Sequence, residues 1–445
     1  MEFTDEENEK LNYLGDLTNY PSNQAFIERL KRYQDFYTRS FRFLNNAISL
    51  EVCYNEAPHP LNFEIGHIVF FYDWHFLRRI MHRNLNNKIQ YFDSLTNQPE
   101  MRATNPQLSI EEQLNYMNEV FDLIISYLDN HSLSSKEAYV LEVCLKHNEM
   151  HKEVIYFICQ QMKISLPGMT PSKPTTQKIQ NEWKRVQGGS FSQGLQKTDS
   201  LVVWDNESPS QNKIVKSFEC QKYPVTYGEF LHFVFVQEDY WKKEFWSFKG
   251  WKWLKAREVE RNNKLLPFNI FKKNGVWYRR WFDQDISLDL SLPVTHISYY
   301  EAEAYARWMN ARLPTETEYE YMITNGGMTS WPWGDDPETS KYCNSNYKNT
   351  DIIPVGQYPN SKNKWGIEDL FGNNWVWTST PFYPYDGFAI DPIYDTFSYP
   401  FFYDRIIIRG SSWCVDDTLF HSRYRNAQEP EKRFHFTGIR LVRDL

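Results

Sequence analysis

The sequence predicts a chain in two parts, an N-terminal bundle of four helices followed by a loop-rich domain with a few strands. Three observations predict it. Ser134 to Met162 contains no Gly or Pro and carries apolar residues at helical spacing: Leu141, Cys144, Leu145, Val154, Ile155, Ile158, Cys159 and Met162. Residues 166–180 are rich in Pro and Thr and lack any apolar period, as a linker does. From Trp183 onward Gly, Trp and short apolar pieces dominate, with frequent turns. A chain of 445 residues also favours two domains over one.

Residues 1–20 read as a flexible leader, 21–165 as the bundle, 166–180 as the linker and 181–445 as the second domain. The first helix is expected over Asn23 to Leu50, where Phe26, Ile27, Leu30, Tyr33, Phe36, Tyr37, Phe41 and Leu44 recur helically. A turn containing Pro58 and Pro60 separates it from a second helix, Asn62 to His82. That helix is apolar nearly all round and should be central. A polar connection over 84–108 leads to a third helix, Ile110 to Leu128, and then to the Ser134–Met162 run. In the second domain only Tyr299 to Arg312 reads clearly as helix. So much irregular chain needs many buried hydrogen bonds, which its Asn, Trp and Arg residues can supply.

Bulk properties exclude several classes. A net charge of −8 argues against a general nucleic-acid binder. No apolar run is long enough to span a bilayer, and the acidic N-terminus is unlike a signal peptide, so a cytoplasmic protein is expected. Six Cys without a CxxC pair read as reduced thiols. Aromatic residues make up 17%, enough for a large core and aromatic-lined pockets.

The chemistry begins at His147 and His151. One helical turn apart, they stand on one face and can bind one divalent metal. Glu153 lies about 200° from His151 around the helix, on the far side, so a third ligand must come from another helix. His67 and His75 are on the central helix. His67 sits among Ile65, Gly66 and Ile68, where an imidazole bonded to a carbonyl is the competing reading. Gly66 beside it permits a close helix approach. His59, His82, His131 and His435 lie in polar or turn contexts and read as solvated. An all-His set suits Fe, Zn, Cu or Ni alike. Asn148 after His147 excludes the HExxH protease pattern.

The segment Phe63-Glu64-Ile65-Gly66-His67-Ile68-Val69-Phe70-Phe71-Tyr72-Asp73-Trp74 and the His147-x-x-x-His151-x-Glu153 segment resemble the two iron-ligand helices of the ergothioneine-biosynthesis sulfoxide synthases. The second half carries that family's other motifs in order. They are Gly188-Gly189-Ser190-Phe191, Pro224-Val225-Thr226-Tyr227-Gly228-Glu229-Phe230 and Arg312-Leu313-Pro314-Thr315-Glu316-Thr317-Glu318. Gly372-Asn373-Asn374-Trp375-Val376-Trp377, Arg409-Gly410-Ser411-Ser412-Trp413 and Gly438-Ile439-Arg440 follow. The resemblance implies a DinB-like four-helix bundle joined to a formylglycine-generating-enzyme-like domain, a C-type-lectin-like α+β fold with much irregular structure. It implies non-haem Fe(II) held by His67, His147 and His151, with O2 as co-substrate. The implied reaction joins the sulfur of cysteine or γ-glutamylcysteine to imidazole C2 of N-trimethylhistidine (hercynine) and oxidises the sulfur to a sulfoxide. A separate histidine methyltransferase and a C–S lyase would complete the pathway. Glu149 or Glu153 is expected to orient a ligand His.

The substrate pocket is expected between the domains. Substrate-binding residues implied by the resemblance are Asn426, Phe382, Met150, Phe401, Phe402 and Arg102. The family's proton-donating tyrosine falls on Phe382 or on Asp93-Ser94-Leu95-Thr96 here, so Tyr385 and Tyr383, with Tyr91, are the catalytic candidates. A single Arg102 where γ-glutamylcysteine users carry a cluster favours a smaller thiol. Met150 replaces a frequent Gln and keeps a selenoneine- or ovothiol-pathway synthase open as the alternative, beside a binding protein that has lost catalysis. Formylglycine generation itself needs a second Cys after Cys414, which the sequence lacks.

Overall fold

The computed structural model describes residues 4–16, 20–45, 60–85, 91–94, 102, 108–173, 179–260, 269–419 and 421–445. The chain divides into two compact units that are not contiguous in sequence. The first comprises residues 1–169 together with 196–208 and 389–399; the second holds the remainder. The expected cut at a linker therefore misses two segments of the later sequence that fold with the helical part.

In the first unit α1 (Asp5–Lys10) precedes the long helices α2 (Asn23–Asn45), α3 (Leu61–Tyr72), α4 (Ile110–Asn130) and α5 (Ser135–Met162). The stretch expected as a leader is instead tied down: Leu11 and Leu14 are buried, and Arg79 pairs with Glu7 at 2.6 Å. α4 and α5 both open on capping boxes, Ser109 with Glu112 and Ser134 with Glu137, each satisfying two orphan backbone donors. Lys163, in the left-handed region at φ 58°, ends α5. α3 is buried on every side, as its all-round apolar sequence requires, and packs against α4 and α5, while α2 packs against α4. The central helix does not run α-helically to His82: it widens into a π-helical turn over Asp73–Arg78. There Asp73 accepts from the Tyr116 hydroxyl at 2.6 Å. The first helix ends at Asn45, and residues 46–50, expected to continue it, lie outside the described residues.

The two late segments are anchored by buried polar groups. The Tyr139 hydroxyl of α5 donates to Asp391. Ser398 donates to Asp205 at 2.5 Å, and Asn206 donates to Ser398 at 2.9 Å. Burial pushes the Asp205 carboxyl up to about 7; the Ser398 hydrogen bond opposes this and the Asp391 charge adds to it. A carboxyl raised from 3.8 binds its proton more tightly folded than unfolded. Its stabilising contribution is complete below 3.8 and is lost as pH rises through about 7. The chain is expected to lose about 4 kcal/mol from this group between pH about 4 and about 8. Asp205→Asn should flatten that part of a urea-midpoint profile.

The second unit is built on short strands: β1 (Trp183–Val186), β2 (Gly189–Gln193), β3 (Gln211–Val215), β4 (Phe218–Gln221), β5 (Ile270–Lys273), β6 (Val276–Trp281) and β7 (Gln284–Ser287). β8 (Trp375–Pro381), β9 (Ile406–Arg409), β10 (Asn426–Gln428), β11 (Thr437–Gly438) and β12 (Val442–Asp444) follow. They form sheets ordered β1-β4-β12, β10-β9-β8-β11, β2-β3 and β5-β6-β7. β11 runs parallel to β8; the other pairings are antiparallel. Four helices accompany them: α6 (Tyr227–Leu231), α7 (Phe248–Glu260), α8 (Tyr299–Trp308) and α9 (Glu316–Ile323). Sequence periodicity finds only α8, which stops before Arg312 because Asn310 turns left-handed at φ 49°. α9 is too short to show a period, although its capping box, Thr315 with Glu318, is written in the sequence.

Loop backbone is satisfied by the residue types expected to do so. Asn373 exchanges two hydrogen bonds of 2.9 Å with Ile353, and the Trp377 indole donates to the Ile297 carbonyl at 3.1 Å. The buried Arg440 guanidinium donates to four carbonyls, those of Gln221, Lys222, Glu368 and Asp369. His435, expected to be solvated, is 2% exposed and packed against Phe434, which corrects that reading.

Candidate metal centre

Within the first unit α3 supplies His67 and α5 supplies His147 and His151. Each offers one ring nitrogen, and these atoms lie within 4.8 Å of one another. Among the described residues they form the one such His/Cys/Asp/Glu cluster; Glu153 is not part of it. The ring centroids are 5.0 Å (His67–His147), 4.7 Å (His67–His151) and 4.4 Å (His147–His151) apart. The other histidine of the central helix, His75, stays outside, its pKa pushed down to about 3 by burial and by the Arg79 charge.

Two of the three rings are oriented by hydrogen bonds. His67 Nδ1 faces the Phe92 carbonyl at 2.7 Å, so it carries the proton and leaves Nε2 as the lone-pair nitrogen. His151 Nδ1 meets the Glu64 carboxylate at 2.6 Å, with the same consequence. The orienting carboxylate is thus Glu64, on α3, rather than the expected Glu149 or Glu153; Glu149 pairs with Lys152 at 3.3 Å. Glu64 precedes His67 by three residues on one helix face, a spacing the sequence displays.

His147 differs. It is 0% exposed, and neither ring nitrogen has a hydrogen-bond partner. Burial, then the neighbouring His151 and His67, push its pKa well below the ordinary value, so the ring is neutral, the form that ligates metal. Leaving a buried imidazole nitrogen unpaired costs roughly 1–3 kcal/mol. A metal ion between the three rings removes that cost, and the donor set fits one. Phe71 stacks on His147 at 3.8 Å, and Phe63 and Phe70 flank His67 at 5.5 and 6.4 Å.

Gly66 does permit a close approach, but of the Phe92 ring rather than of a helix: a Cβ at Gly66 would overlap that ring. Gly66→Ala should therefore displace Phe92 and the carbonyl that orients His67. A fall in Fe(II) affinity of about 10- to 100-fold is expected in a competitive chelator titration.

The other sequence-predicted residues are distributed over both units. Arg102 is buried in the first unit, over the Phe63 ring at 4.7 Å and donating to the Ser94 carbonyl at 3.1 Å. Met150 is half-buried beside His151. In the second unit Phe382 and Phe402 pack together with Ala427 and Ile407, with Phe401 against them. Asn426 begins β10, its side chain accepting from the Ala427 N–H at 2.7 Å. Tyr383 is 43% exposed. Tyr385 is buried, donates to Glu316 at 3.2 Å and lies under the Arg425 guanidinium at 4.1 Å. Burial and the Glu316 charge hold its phenol well above the ordinary value, against the Arg425 charge.

Sequence reasoning missed Tyr394. Its segment folds with the helical unit, and its ring stands 5.3 Å from His147 at 70° and 5.0 Å from Phe71. Nothing in the sequence pairs positions so far apart.

The model of the sulfatase-modifying factor enzyme 1-like domain matches residues 170–445. Hercynine oxygenase of Mycobacterium tuberculosis is 34% identical over 260 residues, covering 57% of this chain and 59% of that protein. Ergothioneine biosynthesis protein 1 of Schizosaccharomyces pombe is 22% identical across 90% of this chain and 54% of its own length. The formylglycine-generating enzyme of M. tuberculosis is 29% identical over 46% of this chain and 75% of its own. The chain thus spans less than two thirds of the hercynine oxygenase it matches.

Proposed function

Since this chain belongs to the sulfatase-modifying factor enzyme 1-like family and, within it, to the ergothioneine-biosynthesis sulfoxide synthases, we propose that it is a non-haem iron oxygenase. It joins a thiol to imidazole C2 of N-trimethylhistidine and oxidises the sulfur. On this reading the helical unit is a DinB-like bundle that carries the iron. The observation that supports it most is His147, a buried imidazole with both nitrogens unpartnered inside a three-His cluster.

His67, His147 and His151 would hold Fe(II) as three neutral ligands, leaving cis positions for small molecules. When bound, the iron supplies O2 activation and acidifies a thiol ligand. Glu64 and the Phe92 carbonyl keep the Nε2 atoms of His151 and His67 turned inward. Phe71, Phe63 and Phe70 keep water from the rings. Tyr394 brings a phenol to the wall beside His147, and it replaces Tyr383 and Tyr385 as the first tyrosine to test as proton carrier. Asn426, Phe382, Phe401, Phe402, Met150 and Arg102 remain the proposed substrate contacts.

The test is an anaerobic Fe(II) titration followed by O2 uptake and product mass spectrometry with N-trimethylhistidine and a panel of thiols and selenium donors. One iron per chain and a sulfoxide product with cysteine are expected. Absence of both iron binding and O2 uptake overturns the proposal.

A further inference from the structure

His67 and His151 are each fixed by a hydrogen bond, but His147 has none, so its ring orientation rests on packing alone. Phe71 lies flat on one face of it and Tyr394 stands at its edge. Whatever holds Tyr394 therefore helps to hold His147.

Asp391 holds Tyr394. It is buried, and its Oδ1 accepts the backbone N–H groups of Ile393 at 2.9 Å and Tyr394 at 3.0 Å, closing an Asx turn. Its Oδ2 accepts the hydroxyl of Tyr139, a buried residue of α5 about two turns before His147. One carboxylate thus connects the turn bearing Tyr394 to the helix bearing His147. Trp204 backs the arrangement from the second late segment, 6.3 Å from Tyr394 and 4.3 Å from Phe397.

We propose that Asp391 is a positioning residue of the metal centre: through Tyr139 it registers the Tyr394 turn on α5 and so sets the ring of His147. It does for His147 by packing what Glu64 does for His151 by hydrogen bonding. This rests on the metal-binding reading above, yet the Tyr139–Asp391–Tyr394–His147 contact exists without metal, so the two can fail separately.

The experiment compares Tyr139→Phe, Asp391→Ala and Asp391→Asn by NMR of the histidine rings, in the metal-free chain and with Co(II) alone as probe. In Tyr139→Phe and Asp391→Ala the His147 resonances should shift while those of His67 and His151 stay. Co(II) affinity should fall about tenfold. Asp391→Asn should restore both, because Oδ1 still caps the turn and the amide can donate to the Tyr139 hydroxyl. If Asp391→Ala does not fold, Tyr139→Phe decides. Unmoved His147 resonances overturn the proposal, as does equal displacement of all three histidines, which marks a general structural role. A chain that binds no Co(II) refutes the metal reading, while the metal-free ring shifts still decide this one.

Discussion

His147→Leu is expected to stabilise the metal-free chain and, in the same protein, to abolish tight Fe(II) binding. The imidazole is fully buried with two unpartnered nitrogens, each costing roughly 1–3 kcal/mol. Leucine removes those polar atoms at similar volume and gives up only the stacking on Phe71. A net gain of about 1–2 kcal/mol follows, or roughly 2–8 °C in Tm. Metal affinity moves the other way. Losing one of three ligands should cost more than the approximately 100-fold seen for groups that merely orient a ligand. The stabilisation that wild type gains from Fe(II), about 2.7 kcal/mol at a hundred times Kd, should therefore vanish from the variant. Calorimetry with and without Fe(II) reads both effects. A metal-free variant less stable than wild type would mean that the His147 nitrogens have partners.

Glu316→Ala should be among the most destabilising single changes in the second unit. Glu316 is 2% exposed and receives the Arg425 guanidinium at 2.5 and 3.0 Å, with the Tyr385 hydroxyl at 3.2 Å and Arg409 at 3.6 Å. Its removal leaves Arg425 buried without that counter-charge, at a cost of about 3–5 kcal/mol. Glu316→Gln, which keeps shape and acceptor, should lose less. Burial pushes the Glu316 carboxyl up, but Arg425 and Arg409 outweigh it and hold the group below its ordinary 4.5. The stabilisation is therefore present above 4.5 and fades as pH falls through the folded value. Urea melts at neutral and acid pH should show the wild type and Glu316→Ala converging at low pH. Because Arg425 also lies over Phe382 and Tyr385, the same variant should loosen the proposed substrate contacts.

Much of the helical unit was legible because its signals are local. Capping boxes, the Gly- and Pro-free run of α5 and the all-round apolar α3 are each written within one element. The His147–His151 pair is likewise one helical turn, so its shared face follows from the sequence alone. The π-helical turn after Tyr72 was not legible, since tertiary packing rather than residue preference selects it. The short helices α6 and α9 were missed because they span less than the window a 3.6-residue period needs.

The sequence by itself determined the two ligand helices, the face shared by His147 and His151, and, through the run of family motifs in the second half, the kind of domain that follows. Only the tertiary structure decided which groups complete the centre. It chose His67 over His75, gave Glu64 and the Phe92 carbonyl the task of turning two rings, and brought Asp391 and Tyr394 to the third. The reason is physical. A helix repeats every few residues and is readable from its neighbours, whereas a buried imidazole is held by whatever the folded chain packs against it, and that can come from any distance along the sequence.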